Sequence, residues 1–169
     1  LCRIGPMFGY DPEPAKSWVI CPLGTETTAR AAFTSEDLPV QYSHGHRYGG
    51  GFVGSAAMKD RWIEPMVGKW VEAVTALSKI APRYPQSAYW GFVHSLQAEW
   101  QYVCRCVPGI EEHMRPVEAV IREKFLPALL DCGPDDLPDD VRRLIAQSVK
   151  GGGLNIRDPV GGAARLHQA

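Results

Sequence analysis

The chain has 169 residues, of which 45% are hydrophobic and 22% charged, and its mean hydropathy is -0.18. This length suits one domain with at most a small appendage, and the composition is globular rather than disordered or fibrous. The formal net charge of -1 argues against a free-standing electrostatic binder of nucleic acid. No apolar run approaches the roughly 18 residues that a membrane span needs.

The first ten residues, LCRIGPMFGY, lack both an initiator Met and the residue order of a signal peptide. We therefore expect the chain to be cut from a longer polypeptide. The five cysteines follow no framework spacing, which predicts reduced thiols and an intracellular location, cytoplasmic or nuclear.

Residues 1–56 contain short apolar runs that Gly and Pro interrupt. The run SWVIC at 17–21 predicts a strand, and residues 25–33 predict one short helix. Residues 40–42 and 47–53 predict two strands of a hairpin around the polar turn SHGH.

Residues 57–130 have helical periodicity. A first helix is predicted over 65–81, with Pro65 in its first turn or at a kink and with Trp62 and Ile63 in a preceding turn. A second is predicted over 86–105, and a third helical region over 110–130 is divided near Pro116. The apolar face of the second helix comprises Tyr89, Phe92, Val93, Leu96, Trp100 and Val103.

Residues 131–169 predict a loop, a short helix and a frayed tail. Asp139 and Asp140 stand where N-caps belong, before a helix that ends at Gly151, and the tail frays from Gly161. The predicted fold class is α+β and predominantly α, with a short antiparallel hairpin region followed by a bundle of three or four helices.

The stretch YGGGFVGS contains Gly49, Gly51 and Gly54 in the order G-x-G-x-x-G. A dinucleotide site needs a buried parallel strand before these glycines and a βαβ unit around them, but the preceding segment is polar and no second strand follows. We interpret the glycines as a bend or bulge where a hairpin passes into a helix.

Other histidines and cysteines, which often bind metals or act in catalysis, do not form a complete metal or catalytic site in this sequence, and no metal is predicted. His44 and His46 would share one strand face, yet two ligands do not complete a metal site. Cys104 and Cys106 point about 200° apart on a helix, and Cys104 suits the core. His94 lies outside the apolar arc and has no partners for a nucleophilic triad.

The ordered series GPMFGYDPEPAKSWVI, HRYGGGFVGS, the helical residues after 68 and GGGLNIRDP resembles the C-terminal half of reverse transcriptases of non-LTR retroelements. The resemblance implies an RNA-directed DNA polymerase in which a palm carries the catalytic aspartates and a helical thumb holds the duplex. Residues 1–56 would then be the end of the palm with a primer-grip hairpin, and residues 57–130 the thumb.

The resemblance also implies roles for particular residues. Lys16 matches a family lysine that lies near the phosphates of the incoming nucleotide and protonates the leaving pyrophosphate, so the resemblance makes it an accessory catalytic candidate. Tyr48, Gly50 and Gly51 match the primer grip, although the family more usually has Leu where Gly49 stands. Four basic residues that the helical pattern leaves exposed near the proposed thumb are candidates for nucleic-acid backbone contacts: Lys69, Lys79, Arg83 and Arg105.

The family binds two metal ions through an aromatic-x-Asp-Asp turn, and this sequence contains no such turn. The pairs at 135–136 and 139–140 lie in the loop GPDDLPDDV, where they predict helix caps. We therefore expect no polymerisation by this chain alone, no cofactor in it, and Mg²⁺ only in a complete polymerase.

The expected partner is an RNA/DNA primer-template bound as part of a longer polypeptide, with no membrane, and the oligomeric state stays open. Two other hypotheses remain. The chain is a helical protein-interaction module or relic without activity, or it is an enzyme with a small-molecule site at the glycine turn.

Overall fold

A computed structural model describes residues 4–11, 13–33 and 40–166. The fold is α+β and predominantly α, with a short antiparallel hairpin, as the sequence predicts. The chain divides into two compact units, Leu1–Asp60 (unit 1) and Arg61–Ala169 (unit 2). No helix in the described ranges combines the length and the apolar character needed to cross a bilayer.

Unit 1 contains a parallel pair of strands that the sequence did not predict. After 3₁₀ turns at Gly5–Phe8 and Pro14–Lys16, strand β1 (Trp18–Ile20) pairs in parallel with β2 (Gln41–Ser43). Helix α1 (Glu26–Phe33) lies between them in the sequence. The prediction that residues 40–42 begin a hairpin is wrong, because the partner of β2 lies more than twenty residues upstream.

The hairpin consists of β3 (Gly45–Tyr48) and β4 (Gly51–Gly54), so its turn lies at the glycines and not at SHGH. The two loop residues, Gly49 and Gly50, have φ angles of 56° and 81°. Two positive φ angles in a two-residue loop match a type I′ turn, which favours glycine at both positions. A Cβ on Gly54 would lie 2.2 Å from the Cα of Gly45, so the hairpin also needs glycine there.

Helix α2 (Ala56–Ile80) begins nine residues before the predicted start and continues through Pro65. Trp62 and Ile63 are therefore helical, and the prediction of a separate preceding turn is wrong. Ile63 begins a buried stripe that continues along the helix as Val67, Trp70 and Val74. Burial of this stripe outweighs the roughly 3 kcal/mol that an interior proline costs a helix.

The second and third predicted helices each contain a π-helical turn. The second consists of α3 (Pro85–Gly91), the π turn Phe92–Leu96 and α4 (Gln97–Cys106). The third consists of the 3₁₀ turn Glu112–Met114, α5 (Arg115–Val120), the π turn Ile121–Phe125 and α6 (Leu126–Leu130). One phenylalanine from each π turn is fully buried, and the rings of Phe92 and Phe125 stack with centroids 4.5 Å apart.

The C-terminal part is more ordered than the sequence predicts. It contains the 3₁₀ turn Pro134–Asp136, α7 (Asp139–Ala146), the 3₁₀ turn Val149–Gly151 and α8 (Pro159–Leu166). The helix predicted to reach Gly151 thus ends at Ala146. Where the tail was predicted to fray, α8 forms, and the N–H of Val160 donates to Oδ1 of Asp158 at 2.8 Å. Residues 167–169 lie outside the described residues.

The predicted N-caps of α7 are displaced by one position. Pro138 occupies the N-cap, so Asp139 and Asp140 lie in the first turn. Negative charge there interacts favourably with the positive end of the helix dipole and stabilises the helix. The side chain of Asp139 pairs with Arg122 on the preceding π turn. No strand flanks these aspartates in the described chain.

Buried polar side chains hold residues 151–159, the segment GGGLNIRDP, against the helices of unit 2. Gln97 donates to the carbonyl of Asn155 at 2.9 Å and accepts from the N–H of Arg157 at 2.8 Å. Two further side chains donate to carbonyls of the same segment: Tyr89 and Arg142. The segment is irregular yet ordered, because its backbone groups find partners on three helices.

Candidate nucleic-acid interface

An open cleft of about 530 Å³ lies in unit 1, where β1 meets the hairpin. Two residues predicted from motifs, Lys16 and Tyr48, both line it. The other lining residues are Ser17, Trp18, Ile20, His46, Arg47 and Val53. This set contains no carboxylate, so the cleft favours an anionic ligand.

Lys16 ends the 3₁₀ turn that leads into β1, and its side chain is 78% exposed. The ammonium lies 2.7 Å from a carboxylate oxygen of Glu13, which is also exposed. An exposed pair of this kind contributes about 0–1 kcal/mol, so Lys16 can exchange Glu13 for a phosphate at little cost.

Tyr48 ends β3 immediately before the turn, and its side chain is 80% exposed. Its partner across the hairpin is Gly51, which has no side chain to cover the ring. Gly50, in the turn, and Gly51, buried in β4, therefore leave the tyrosine ring free to contact a ligand. The exposed Arg47 precedes Tyr48 on the same strand.

Trp18 and His46 form a stacked pair in the cleft, with ring centroids 4.1 Å apart and planes 17° apart. The prediction that His44 and His46 share a strand face is wrong, because His44 lies at the bend between β2 and β3. There its Nδ1 is 3.0 Å from the carbonyl oxygen of Cys21. The described residues contain no group of three or more His, Cys, Asp or Glu side chains suited to a metal ion.

The chemistry of this cleft suits a nucleic-acid strand. Lys16 and Arg47 carry positive charge for phosphates, whereas Trp18 and Tyr48 offer aromatic faces for bases. Proteins that bind single strands combine these two features, and stacking of one base contributes about 1–3 kcal/mol.

The four other predicted cations lie in unit 2 and are all exposed: Lys69, Lys79, Arg83 and Arg105. Lys69 and Lys79 are ten residues apart on α2, so they differ by about 80° around the helix and about 15 Å along it. They cannot bind one phosphate together. Arg83 lies over the ring of Tyr84, and Nε of Arg105 donates to the carbonyl of Gln101 at 3.3 Å.

The remaining sequence candidates behave as core or surface residues. Cys104 is buried and Cys106 exposed, which agrees with the prediction that they cannot grip one ion. Burial raises the pKa of the Cys104 thiol to about 11. His94 is exposed, as predicted, and lies against Trp90 with ring centroids 3.8 Å apart.

The sequence analysis missed Trp18, Arg47 and the stacking role of His46. The available signal was the presence of aromatic and basic residues on two short β segments, SWVI and GHRY. That signal does not say which segments meet, because β1 and β3 are more than twenty residues apart.

No protein-family model matches the chain, and no significant match to a curated protein or a solved structure was found. The resemblance to reverse transcriptases therefore rests on the motifs themselves. The arrangement of the cleft is the independent structural observation that bears on function.

Proposed function

We propose that this chain is the primer-template-positioning part of a reverse transcriptase-like polymerase, and that unit 1 binds a nucleic-acid strand through its cleft. One observation carries the proposal. Lys16 and Tyr48, which are singled out by separate motifs, line the same cleft together with Trp18 and Arg47.

The side chains of the cleft have two different roles in binding. Tyr48 and the Trp18–His46 stack contact bases or sugars, and Lys16 and Arg47 neutralise phosphates. The glycine turn beside Tyr48 lets the strand approach the backbone closely, because Gly49 and Gly50 have no side chains to obstruct it. Such contacts position a strand without breaking or forming a covalent bond.

Catalysis would require carboxylates from outside this chain. The sequence lacks an aromatic-x-Asp-Asp turn, so Mg²⁺ is expected to act only in the complete polymerase. We expect this chain alone to bind a primed template only weakly and to leave the primer unextended when Mg²⁺ and nucleotides are added.

Fluorescence anisotropy with a labelled DNA primer on an RNA template tests the proposal. Tyr48→Ala should weaken binding about tenfold, since one stacking contact is lost. Tyr102→Ala is the matched control, because this tyrosine is also exposed but belongs to unit 2. Equal affinities of the two variants, or no binding by the wild type at low salt, would contradict the proposal.

The salt dependence of the same binding tests the role of Lys16. Lys16→Gln should lower the slope of log K against log salt by about 0.7–0.9, the loss of one phosphate contact. Lys124→Gln, which changes an exposed lysine of unit 2, should leave the slope unchanged. An unchanged slope for Lys16→Gln would show that Lys16 does not contact a phosphate.

A helical interaction module remains the second candidate, because three large side chains close in sequence are exposed in unit 2: Ile80, Tyr84 and Trp90. Light scattering separates the candidates. A stable dimer that Tyr84→Ala dissociates, together with no affinity for a primed template, would favour the module.

A further inference from the structure

A second open cleft, of about 770 Å³, lies in unit 2, where α5 and the π turn after it meet α7 and α8. Its volume is within the range of about 300–1,000 Å³ that is usual for ligand-binding clefts. Five arginines from these elements line it: Arg115, Arg122, Arg142, Arg143 and Arg165. This cleft shares no lining residue with the unit 1 cleft and has no part in the proposed strand binding.

The positive charge of this cleft comes from arginine alone. Five of the 12 arginines of the chain line it, whereas none of the six lysines does. A guanidinium group is planar and presents parallel N–H donors that fit the two oxygens of a carboxylate, whereas an ammonium group acts as a point charge. The composition of the cleft therefore favours a ligand with planar acidic groups.

The carboxylates of the cleft already have partners. Glu118 accepts two hydrogen bonds of 2.7 Å from the buried Arg142. Asp139 pairs with Arg122, and Oδ1 of Asp158 accepts from a backbone N–H of α8 at 2.8 Å. Three carboxylates against five guanidinium groups leave two net positive charges in the cleft.

Three of the arginines can be reached from solvent. Arg143 and Arg165 are exposed, and neither forms a salt bridge with another described residue. Arg115 is also exposed and pairs with the exposed Glu112. Such exposed pairs contribute little to stability, so the carboxylate of a ligand can replace Glu112 at Arg115.

Other lining residues favour a peptide over a nucleic-acid strand. Ala146 and Val160 offer small apolar surfaces, which suit an aliphatic side chain. The side chain of Asp139 is 81% exposed and would repel the regularly spaced charges of a phosphodiester backbone. A peptide can instead place a neutral residue opposite Asp139.

We propose that this cleft is a docking surface for an acidic peptide segment of a partner protein. Glutamate or aspartate side chains of the segment pair with Arg115, Arg143 and Arg165. A small aliphatic residue of the segment contacts Ala146 and Val160. Because the complementarity is electrostatic, the affinity falls as the salt concentration rises.

Fluorescence anisotropy of a labelled, amidated peptide of sequence EEVEE tests the proposal on the full chain. At low salt this peptide should bind saturably, and the neutral peptide QQVQQ should bind at least about tenfold more weakly, since its side chains form no ion pairs. Unlabelled pentathymidylate carries the same four negative charges and serves as a competitor. Equal affinities of the two peptides, or pentathymidylate that competes as well as unlabelled EEVEE, would overturn the proposal.

Arginine variants locate the binding site. Arg143→Gln and Arg165→Gln should each weaken peptide binding about five- to tenfold, because a charge-assisted hydrogen bond is lost. Arg61→Gln is the matched control, since Arg61 is exposed in unit 2 and does not line the cleft, and it should change the affinity by less than about twofold. An equal loss in all three variants, with far-UV circular dichroism like that of the wild type, would overturn the proposal.

Variants of the unit 1 cleft separate this docking surface from the proposed function. Tyr48→Ala and Lys16→Gln should leave the affinity for EEVEE unchanged, because both residues line the other cleft. Arg165→Gln should leave the affinity for a primed template unchanged. Peptide binding that Lys16→Gln abolishes would place the peptide in the unit 1 cleft and overturn the docking surface.

Discussion

The two units bury their side chains very differently. Among the described residues of unit 1, Cys21 is the only buried hydrophobic side chain, whereas unit 2 fully buries large ones such as Phe92, Trp100 and Phe125. Unit 1 therefore depends on short strands and their hydrogen bonds, and two-stranded hairpins are marginally stable alone. The candidate binding surface therefore lies on the unit that buries fewer apolar side chains, and we expect such a region to open more readily.

The two units also use polar groups differently. In unit 1 the charged side chains of the cleft are exposed, and the ion pair that Lys16 forms with Glu13 is exposed to solvent. In unit 2, Arg142 is 3% exposed and makes two hydrogen bonds of 2.7 Å to the carboxylate of Glu118. Exposed pairs can be exchanged for a ligand, whereas buried pairs hold the fold.

Removing Arg142 should give the largest effect and should affect unit 2. Arg142→Ala removes both 2.7 Å hydrogen bonds from the largely buried Glu118 carboxylate and leaves it only Arg122, whose Nε lies 3.4 Å from Oε1. Breaking a buried pair in this way costs up to about 3–5 kcal/mol of unfolding free energy. Urea unfolding followed by far-UV circular dichroism measures this loss. The adjacent Arg143→Ala should change stability by about 0.5 kcal/mol or less, because Arg143 is exposed.

The same variant has a defined pH dependence. Burial raises the pKa of Glu118 above its ordinary value of 4.5, against the opposing effect of Arg142. The folded state therefore takes up this proton at a higher pH than the unfolded state, and stability rises as the pH falls through that window. The defect of Arg142→Ala should shrink as the pH is lowered toward 4.5, and a defect that grows would contradict the buried-pair account.

Thiol labelling compares the opening of the two units within one molecule. Cys21 of unit 1 and Cys104 of unit 2 are both buried. Without denaturant, Cys21 should be labelled about a hundredfold faster, because local opening of unit 1 needs less free energy than opening the core of unit 2. Peptide mass spectrometry after timed alkylation measures the ratio, and equal rates would show that the two units open together.

Gly54→Ala should damage unit 1 alone. A Cβ at this position would lie 2.2 Å from the Cα of Gly45 and 2.4 Å from the carbonyl oxygen of His44. Overpacking of this kind costs about 1–3 kcal/mol, which suffices to open a marginal hairpin. Hydrogen exchange should increase at β3 and β4 and remain unchanged around Phe92 and Phe125; protection lost equally in both units would contradict the comparison.

Gly68→Ala should produce the smallest effect, and a favourable one. Gly68 lies inside α2, is exposed, and a Cβ there meets no atom within 4 Å. Alanine should stabilise the helix by about 0.5–1 kcal/mol, which corresponds to a rise in Tm of about 2 °C. A lower Tm measured by calorimetry would contradict this prediction and would show that α2 is more stable with glycine at position 68.

Local patterns predicted the fold class and the strongest helix well. Helical periodicity shows which face of a helix is apolar, and that face is buried to remove it from water. The predicted apolar face of residues 86–105 is accordingly buried in unit 2 at these positions: Phe92, Val93, Leu96, Trp100 and Val103. The strand at 17–21 and the helix at 25–33 are confirmed to within one or two residues. The glycines, predicted as a bend or bulge after the hairpin, form its turn instead, so the single strand predicted over 47–53 is wrong and is two strands.

Features that depend on neighbouring residues can be read directly from the chain: helical and strand periodicity, the backbone freedom of the triple glycine, and the absence of an aromatic-x-Asp-Asp turn. Other features depend on tertiary contacts. The parallel pairing of β1 with β2, the passage of α2 through Pro65, and the cleft shared by Lys16 and Tyr48 depend on residues far apart in the chain. The contact between Gln97 and Arg157 joins residues 60 positions apart, and no local pattern records the burial free energy that brings such partners together.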